Sequence, residues 1–419
     1  MRGNPPNRSR PVTPGRYPPD VDTRPADALA ALDVLGAIDA PVAVLRRGDG
    51  WLVAWEPVEM VEGHGAAVLG AIEGLTPGLW AGFLAFELGR AVEAVRPGRA
   101  SATAATVPDG LLVRFARHAQ VPTLDGLLPR SLAPVRLGPA DRSSLGRAEY
   151  LAAVDTVLEH IRAGDCYQVN LTRTLEWHTA VDPVAVFGAL ARRRPAPHAG
   201  LLRLPSATGT TATTVAVVSA SPERFLAWRG AEVETRPIKG TAAHPAALER
   251  SAKDRAENVM IVDLARNDLG RVCVPGSIHV PALCAVERHP GLAHLVSTVR
   301  GTLRPDVGLG GLLRATLPPA SISGAPKPRV LQIIEDLETV PRGVYCGATG
   351  WIDTEHHAGD LAVAIRTFTV AGGRTTLGVG GGIVADSDPA REWDETCLKA
   401  RRLLARTGAA DAAPVEVLA

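Results

Sequence analysis

Between residues 166 and 387 the chain carries short apolar-alternating runs that often follow one another directly. CYQVNLTRTLEW, ATTVAVVSAS, RFLAWRG and AEVETRP come first, then LAHLVSTVRG, GVYCGATGWID, LAVAIRTFTV and RTTLGVGGGIVADS. Alternation of period two marks half-buried strands. Strands with no helix between them join most simply as antiparallel neighbours, because a parallel return needs a crossover of about a dozen residues. The AGG at 371–373 reads as one such hairpin turn. Helical period is confined to a few stretches. RAEYLAAVDTVLEHIRAGD stops at Gly164, LERSAKDRAENVMIVDLARNDLG reads as one long helix closing at Gly270, and APKPRVLQIIEDLE and PAREWDETCLKARRLLAR follow. The pattern predicts an α+β fold of mainly antiparallel sheet.

The chain divides into three parts. Residues 1–25 are Pro- and Arg-rich without hydrophobic period, as in a disordered tail. Residues 26–144 mix a helix in PADALAALDVLGAI, two strands around an RGDG turn, the apolar element GLWAGFLAFELGRAVEAV and a Pro-rich connection from 121. Residues 145–410 hold every candidate site. Lys plus Arg (45) nearly cancels Asp plus Glu (44), which leaves no net field to attract a nucleic acid or an anionic membrane surface. No apolar run reaches the roughly 18 residues of a membrane helix, and the N-terminus lacks the apolar stretch of a secretory signal. Five scattered cysteines without C-x-x-C spacing argue against a disulfide framework or a zinc site and for a reducing, cytoplasmic setting.

Only four basic residues are lysine, Lys239, Lys253, Lys327 and Lys399, against 41 arginines. In a chain that writes its surface charge as Arg, a retained Lys marks a place for a compact charge or an amine that can lose its proton. Lys239, between Ile238 and Gly240, is placed for desolvation and hence for nucleophilic chemistry, although a surface lysine fits the pattern too. Glu392 and Glu395 lie three apart on one helix, as do Asp254 and Glu257 on another. Such pairs either build an all-oxygen site for a hard cation or face solvent, and Glu395 with Lys399 also has the spacing of an i,i+4 ion pair. Gly380–Gly382 could form a backbone cradle for a carboxylate or a plain turn. His294 alternates within a strand, as a core histidine or a catalyst would.

Taken together, SASPERF (219–225), RPIKGT (236–241), AKDRAENVMIVDLARNDLGRV (252–272), SISGAPKPR (321–329), AIRT (364–367) and GGGIVADSDPAREWDETCLKA (380–400) resemble the chorismate-utilising enzymes. These include anthranilate synthase component I, aminodeoxychorismate synthase component I and the isochorismate and salicylate synthases. The resemblance spans residues 145–408 and, more weakly, GFLAFELGR before it.

It implies a four-layer α/β/β/α sandwich and a Mg²⁺ held by Glu257 and Glu395, with Glu392 and Asp254 close by. Gly380, Gly381 and Gly382 match a loop taking a substrate carboxylate. Arg366, Tyr345, Ser321 and Lys399 match substrate-binding positions, and His294 a histidine beside the reacting ring. Lys239, where anthranilate and isochorismate synthases resemble P-[IL]-A-G-T, matches the aminodeoxychorismate subgroup, with Glu223 as its general acid/base. An alternative is anthranilate synthase, or a silent chorismate-binding homologue. None of the five cysteine contexts resembles a glutaminase nucleophile, so the resemblance implies a separate glutamine amidotransferase partner or free ammonia. No L-L-E-S-like tryptophan-binding motif occurs before residue 100.

Overall fold

The computed structural model describes residues 40–407 except 104–106, 122, 125–134, 136, 192–194, 207–212, 243 and 290–291. The expected tail, the helix expected at 25–38 and much of the 121–144 connection lie outside the described residues. Every strand pairing among the described residues is antiparallel. One ladder runs from Gln168–Trp177 through Arg374–Ile383, Thr367–Ala371, Thr213–Ser221 and His198–Ser206 to Val42–Arg47. It continues through Gly50–Gly63, Gly110–Val121, Leu79–Leu84, Ala348–Asp353 and Ala358–Val363. Arg224–Arg229, Glu232–Arg236 and Leu292–Thr302 follow, and Leu292–Thr302 also receives Ile238–Ala242 and His279–His289.

Period-two alternation sorts the core into layers. Val42 and Val44 pack under the helices Pro183–Ala191 and Pro389–Arg406, with Val186, Phe187, Leu403 and Leu404. Ala43 and Leu45, on the opposite face of the same strand, join Leu79, Ala81, Phe83 and Val217 between the two halves of the ladder. Beyond that second half, Trp80, Leu84 and Leu361 meet side chains of the helices Ala67–Glu73, Ala252–Gly270, Leu309–Thr316 and Lys327–Leu337. The result is helix, sheet, sheet, helix, as the resemblance implies. Burial of each large aliphatic side chain in these clusters stabilises by about 1.5–3 kcal/mol.

Two elements differ from the sequence reading. The long helix expected from Leu248 to Gly270 is broken at Ser251, whose extended backbone (φ −78°, ψ 99°) separates Pro245–Arg250 from Ala252–Gly270. The Ser251 hydroxyl accepts from Asp254 N–H at 3.2 Å, so a serine that the helical period passes over is in fact an N-cap. The glycines 380–382 are not a loop. They end the strand Arg374–Ile383, paired with Asn170, Leu171 and Thr172. Pairing to the other neighbour stops at Leu377, so past that point the strand has a ladder partner on one side only among the described residues.

Candidate active site

Glu223 sits in the turn between two strands and is almost fully buried, at 4% exposure. Its backbone is fixed by Ser221, whose hydroxyl accepts from Glu223 N–H at 3.2 Å and donates to Val363 O at 2.6 Å. The Glu223 carboxylate accepts from Ile238 N–H at 3.4 Å and is bonded by Ser321. Burial pushes its pKa up to about 7, against the lowering effects of the Ser321 bond and the nearby Lys239.

One residue past Ile238, Lys239 projects from the strand Ile238–Ala242, and its Nζ donates to Ser321 O at 3.1 Å. Burial pushes the Lys239 pKa down, further aided by Lys399, while Glu223, Glu257 and Glu395 oppose the shift. The two groups are thus driven in opposite directions, the acid toward its protonated form and the amine toward its neutral form. Gly240 has φ +87°, and a Cβ there would stand 3.0 Å from the Asp254 side chain, which brings the Lys239 strand against the first turn of the helix Ala252–Gly270.

Both acidic helices act electrostatically on Lys239, through Glu257 and Glu395. Burial raises the pKa of Glu257, and of Glu392 despite a 2.6 Å hydrogen bond from Ser387. Lys253 acts on both and also pairs loosely with Asp386 at 3.7 Å. A Cβ at Gly381 would lie 3.1 Å from Glu392 Oε2 and 4.0 Å from Glu395 Oε1. Lys399 Nζ bridges Glu395 Oε1 and Gly380 O, each at 2.7 Å, so the i,i+4 pair and the place beside the glycines are both realised.

No three of the four carboxylates bring oxygens within 4.8 Å of one another; the one such group among the described residues is Asp353, Glu355 and His356 in an exposed turn. The donors around Lys239 nonetheless suit a hard cation in kind. They are all oxygen, and Gly381 leaves room beside Glu392 and Glu395.

The remaining expected residues border the same region. Ser321 is buried in a short 3₁₀ turn, Ala320–Ile322. The buried Tyr345 ring lies flat on Gly378, whose Cβ would come within 2.0 Å of it, and burial holds its phenol well above the usual range. Arg366 is exposed, with a left-handed backbone (φ 53°), near enough to lower the Glu223 pKa. His294 is buried opposite Thr241, with Nδ1 2.8 Å from the threonine hydroxyl.

The sequence reading missed Gln168. It is 1% exposed, its Oε1 has no hydrogen-bond partner, and its Nε2 would lie 2.2 Å from a Cβ on Gly382. A polar residue at the inward position of a strand was the available signal. It also missed Arg342, described below.

The family of chorismate binding enzymes matches residues 54–405. Aminodeoxychorismate synthase component 1 of Salmonella typhimurium is 42% identical over 281 residues, covering 65% of this chain and 60% of that protein. Anthranilate synthase component 1 of Streptomyces coelicolor is 39% identical over 334 residues, covering 76% and 63%. The chain thus spans about three fifths of the length of these curated relatives. Among solved structures, anthranilate synthase component I from Streptococcus pneumoniae superposes with a TM-score of 0.70 at 23% identity, over 93% of this chain and 95% of that one. The menaquinone-specific isochorismate synthase from Escherichia coli gives 0.70 at 18% identity, over 90% and 91%. With the acid, the amine and the flanking carboxylates in one place and the family matched across most of its length, the chain belongs to the chorismate-binding enzymes.

Proposed function

We propose that the chain is the synthase component of an aminodeoxychorismate synthase, converting chorismate and ammonia to 4-amino-4-deoxychorismate for p-aminobenzoate and thus folate formation. The observation that carries this reading is Lys239, a desolvated amine beside the buried acid Glu223, at the position the sequence assigns to the subgroup. Neutral Lys239 Nζ adds to ring carbon C2, electrons move through the diene, and the C4–O bond breaks as Glu223 gives its proton to the departing hydroxyl, which leaves as water. Ammonia then adds at C4, the electrons return, and the C2–N bond breaks to release Lys239 as a neutral amine. The Glu223 carboxylate takes a proton from the new ammonium and is ready again.

Mg²⁺ held by Glu257 and Glu395, with Glu392 and Asp254 beside them, would supply positive charge to the ring carboxylate. Lys399, Arg366, Tyr345, Ser321 and the Gly380–Gly382 strand end would hold the rest of the substrate, and His294, hydrogen-bonded to Thr241, would orient the Lys239 strand. Relatives named as a component 1 support a second component, in our reading a glutamine amidotransferase that supplies the ammonia. The five cysteines are all buried and unpaired, in keeping with a reducing, cytoplasmic compartment. Among the described residues no helix is long and apolar enough to cross a membrane.

The test is to incubate the purified protein with chorismate, MgCl₂ and ammonium at pH 8 and to separate products by mass and fluorescence. 4-Amino-4-deoxychorismate is expected. Anthranilate would overturn the subgroup assignment, and no amination even with a competent amidotransferase would leave a binding protein. Without ammonia, intact mass spectrometry should show a covalent adduct that is absent from Lys239→Ala.

A further inference from the structure

A cavity of about 20 Å³ lies behind Glu223, on the side of the strand Arg224–Arg229 that faces the helix Ala252–Gly270. Its walls include Glu223 and Ser321, which also border Lys239, together with Phe225, Ala265, Asp268 and Thr316. That volume holds one molecule the size of water or ammonia, since about 10–15 Å³ suffices for one. Asp268 is 6% exposed and its charge is compensated, because the equally buried Lys327 donates to it at 2.7 Å and to Thr316 O at 3.1 Å. Arg224, also in the wall, is paired with Glu234 and Asp360, so apart from Glu223 the charged side chains of the wall are compensated. The pairing with Asp268 accounts for Lys327, the one lysine of the four that lies outside the carboxylate cluster.

We infer that this cavity is the chamber from which neutral ammonia reaches ring carbon C4. The inference rests on the proposed function and adds the route of its second substrate. The proposed reaction removes hydroxyl from C4 with a proton from Glu223 and installs nitrogen at that carbon. An ammonia molecule in a cavity that Glu223 and Ser321 line is thus one side chain away from the carbon at which, in the proposed reaction, Glu223 releases the hydroxyl. The carboxylate between them is the base that its ammonium adduct needs. The small Ala265 side chain keeps the chamber open from the helix side.

The test is Ala265→Leu, which fills the chamber from a position about two turns along the helix from Glu257. With ammonium as nitrogen source, the KM for ammonia should rise at least tenfold. The KM for chorismate at saturating ammonia and the rate of Lys239 adduct formation without ammonia should stay within twofold of wild type, because both precede the ammonia step. An ammonia KM within twofold of wild type, in a variant that still forms the adduct, overturns the chamber while leaving the proposed function standing. If the leucine prevents folding, Ala265→Val is judged by the same ratio. A wild-type protein that aminates nothing overturns both readings, whereas one that makes anthranilate overturns only the product assignment and leaves the ratio to decide the chamber.

Discussion

At the scale of single residues, the site joins a carboxyl that resists ionisation to an amine that resists protonation. Glu223 is held near pKa 7 in the folded chain and titrates near 4.5 when exposed. A raised acid pKa contributes stability that is complete below the unfolded value and is lost as pH rises through the folded one. Over that window the contribution is about 3 kcal/mol, at 1.36 kcal/mol per pKa unit. Glu223→Gln cannot ionise and lacks this dependence. The stability of the variant relative to wild type, read from urea midpoints, should therefore improve by about 2 kcal/mol between pH 5 and pH 8, while aminodeoxychorismate formation is lost at both. A flat difference across that range would mean that Glu223 is ionised in the fold. Lys239 and Glu223 were legible in the sequence because one of only four lysines in an arginine-rich chain and a complete motif both stand out. Gln168 carried only a faint signal, because which polar residue of a strand faces inward becomes clear only once the strand's inner face is known.

At the scale of elements, the strand Arg374–Ile383 carries glycines for three different reasons. A Cβ at Gly380 would meet Leu171 O at 2.5 Å, a backbone atom that cannot yield, and one at Gly378 would strike the buried Tyr345 ring. At Gly381 the nearest atoms are carboxylate oxygens at the ends of flexible side chains. Gly381→Ala should therefore fold with a melting temperature close to wild type but bind Mg²⁺ about tenfold more weakly, a loss of about 1.4 kcal/mol, by titration calorimetry without substrate. Gly378→Ala should instead lose about 1–3 kcal/mol of stability through overpacking. Unchanged Mg²⁺ affinity in Gly381→Ala would separate this strand from the metal. The sequence showed the glycine run and the strand before it. It did not show that the glycines remain in the ladder, because a pattern of alternation says nothing about which edge of a strand is paired. The break at Ser251 was hidden for a related reason, as one capping hydroxyl outweighs a helical period that continues on both sides of it.

At the scale of the whole molecule, Arg342 ties together segments that meet only in the folded chain. Its guanidinium donates to Glu338 at 2.9 and 2.7 Å, to Ile322 O at 3.1 Å and to Asn170 O at 2.6 Å, and lies 4.1 Å from the Phe86 ring centroid. Glu338 in turn accepts from Thr172 N–H and its hydroxyl, each at 2.9 Å, and Thr172 is the ladder partner of Gly380. Glu87, from the first third of the chain, accepts from the backbone N–H groups of Arg342 and Gly343 at 2.8 and 3.0 Å, beside the segment that carries Tyr345. The strand partnered by Gly380, the turn bearing Ser321 and the Tyr345 segment thus share one buried ion pair. Removing one partner of such a pair leaves an uncompensated buried charge and costs about 3–5 kcal/mol. Arg342→Met should lose that much in urea unfolding. Adding Glu338→Gln removes the stranded charge while keeping an acceptor for Thr172, so the double variant should recover part of the loss, with a coupling energy of about 1–3 kcal/mol. The recovered protein should still show a raised KM for chorismate, because a neutral Gln and Met restore the charge balance without restoring the bonds to Ile322 and Asn170. Additive losses in the cycle would mean that the pair is no hub. A normal KM in the double variant would mean that the segments keep their places without it.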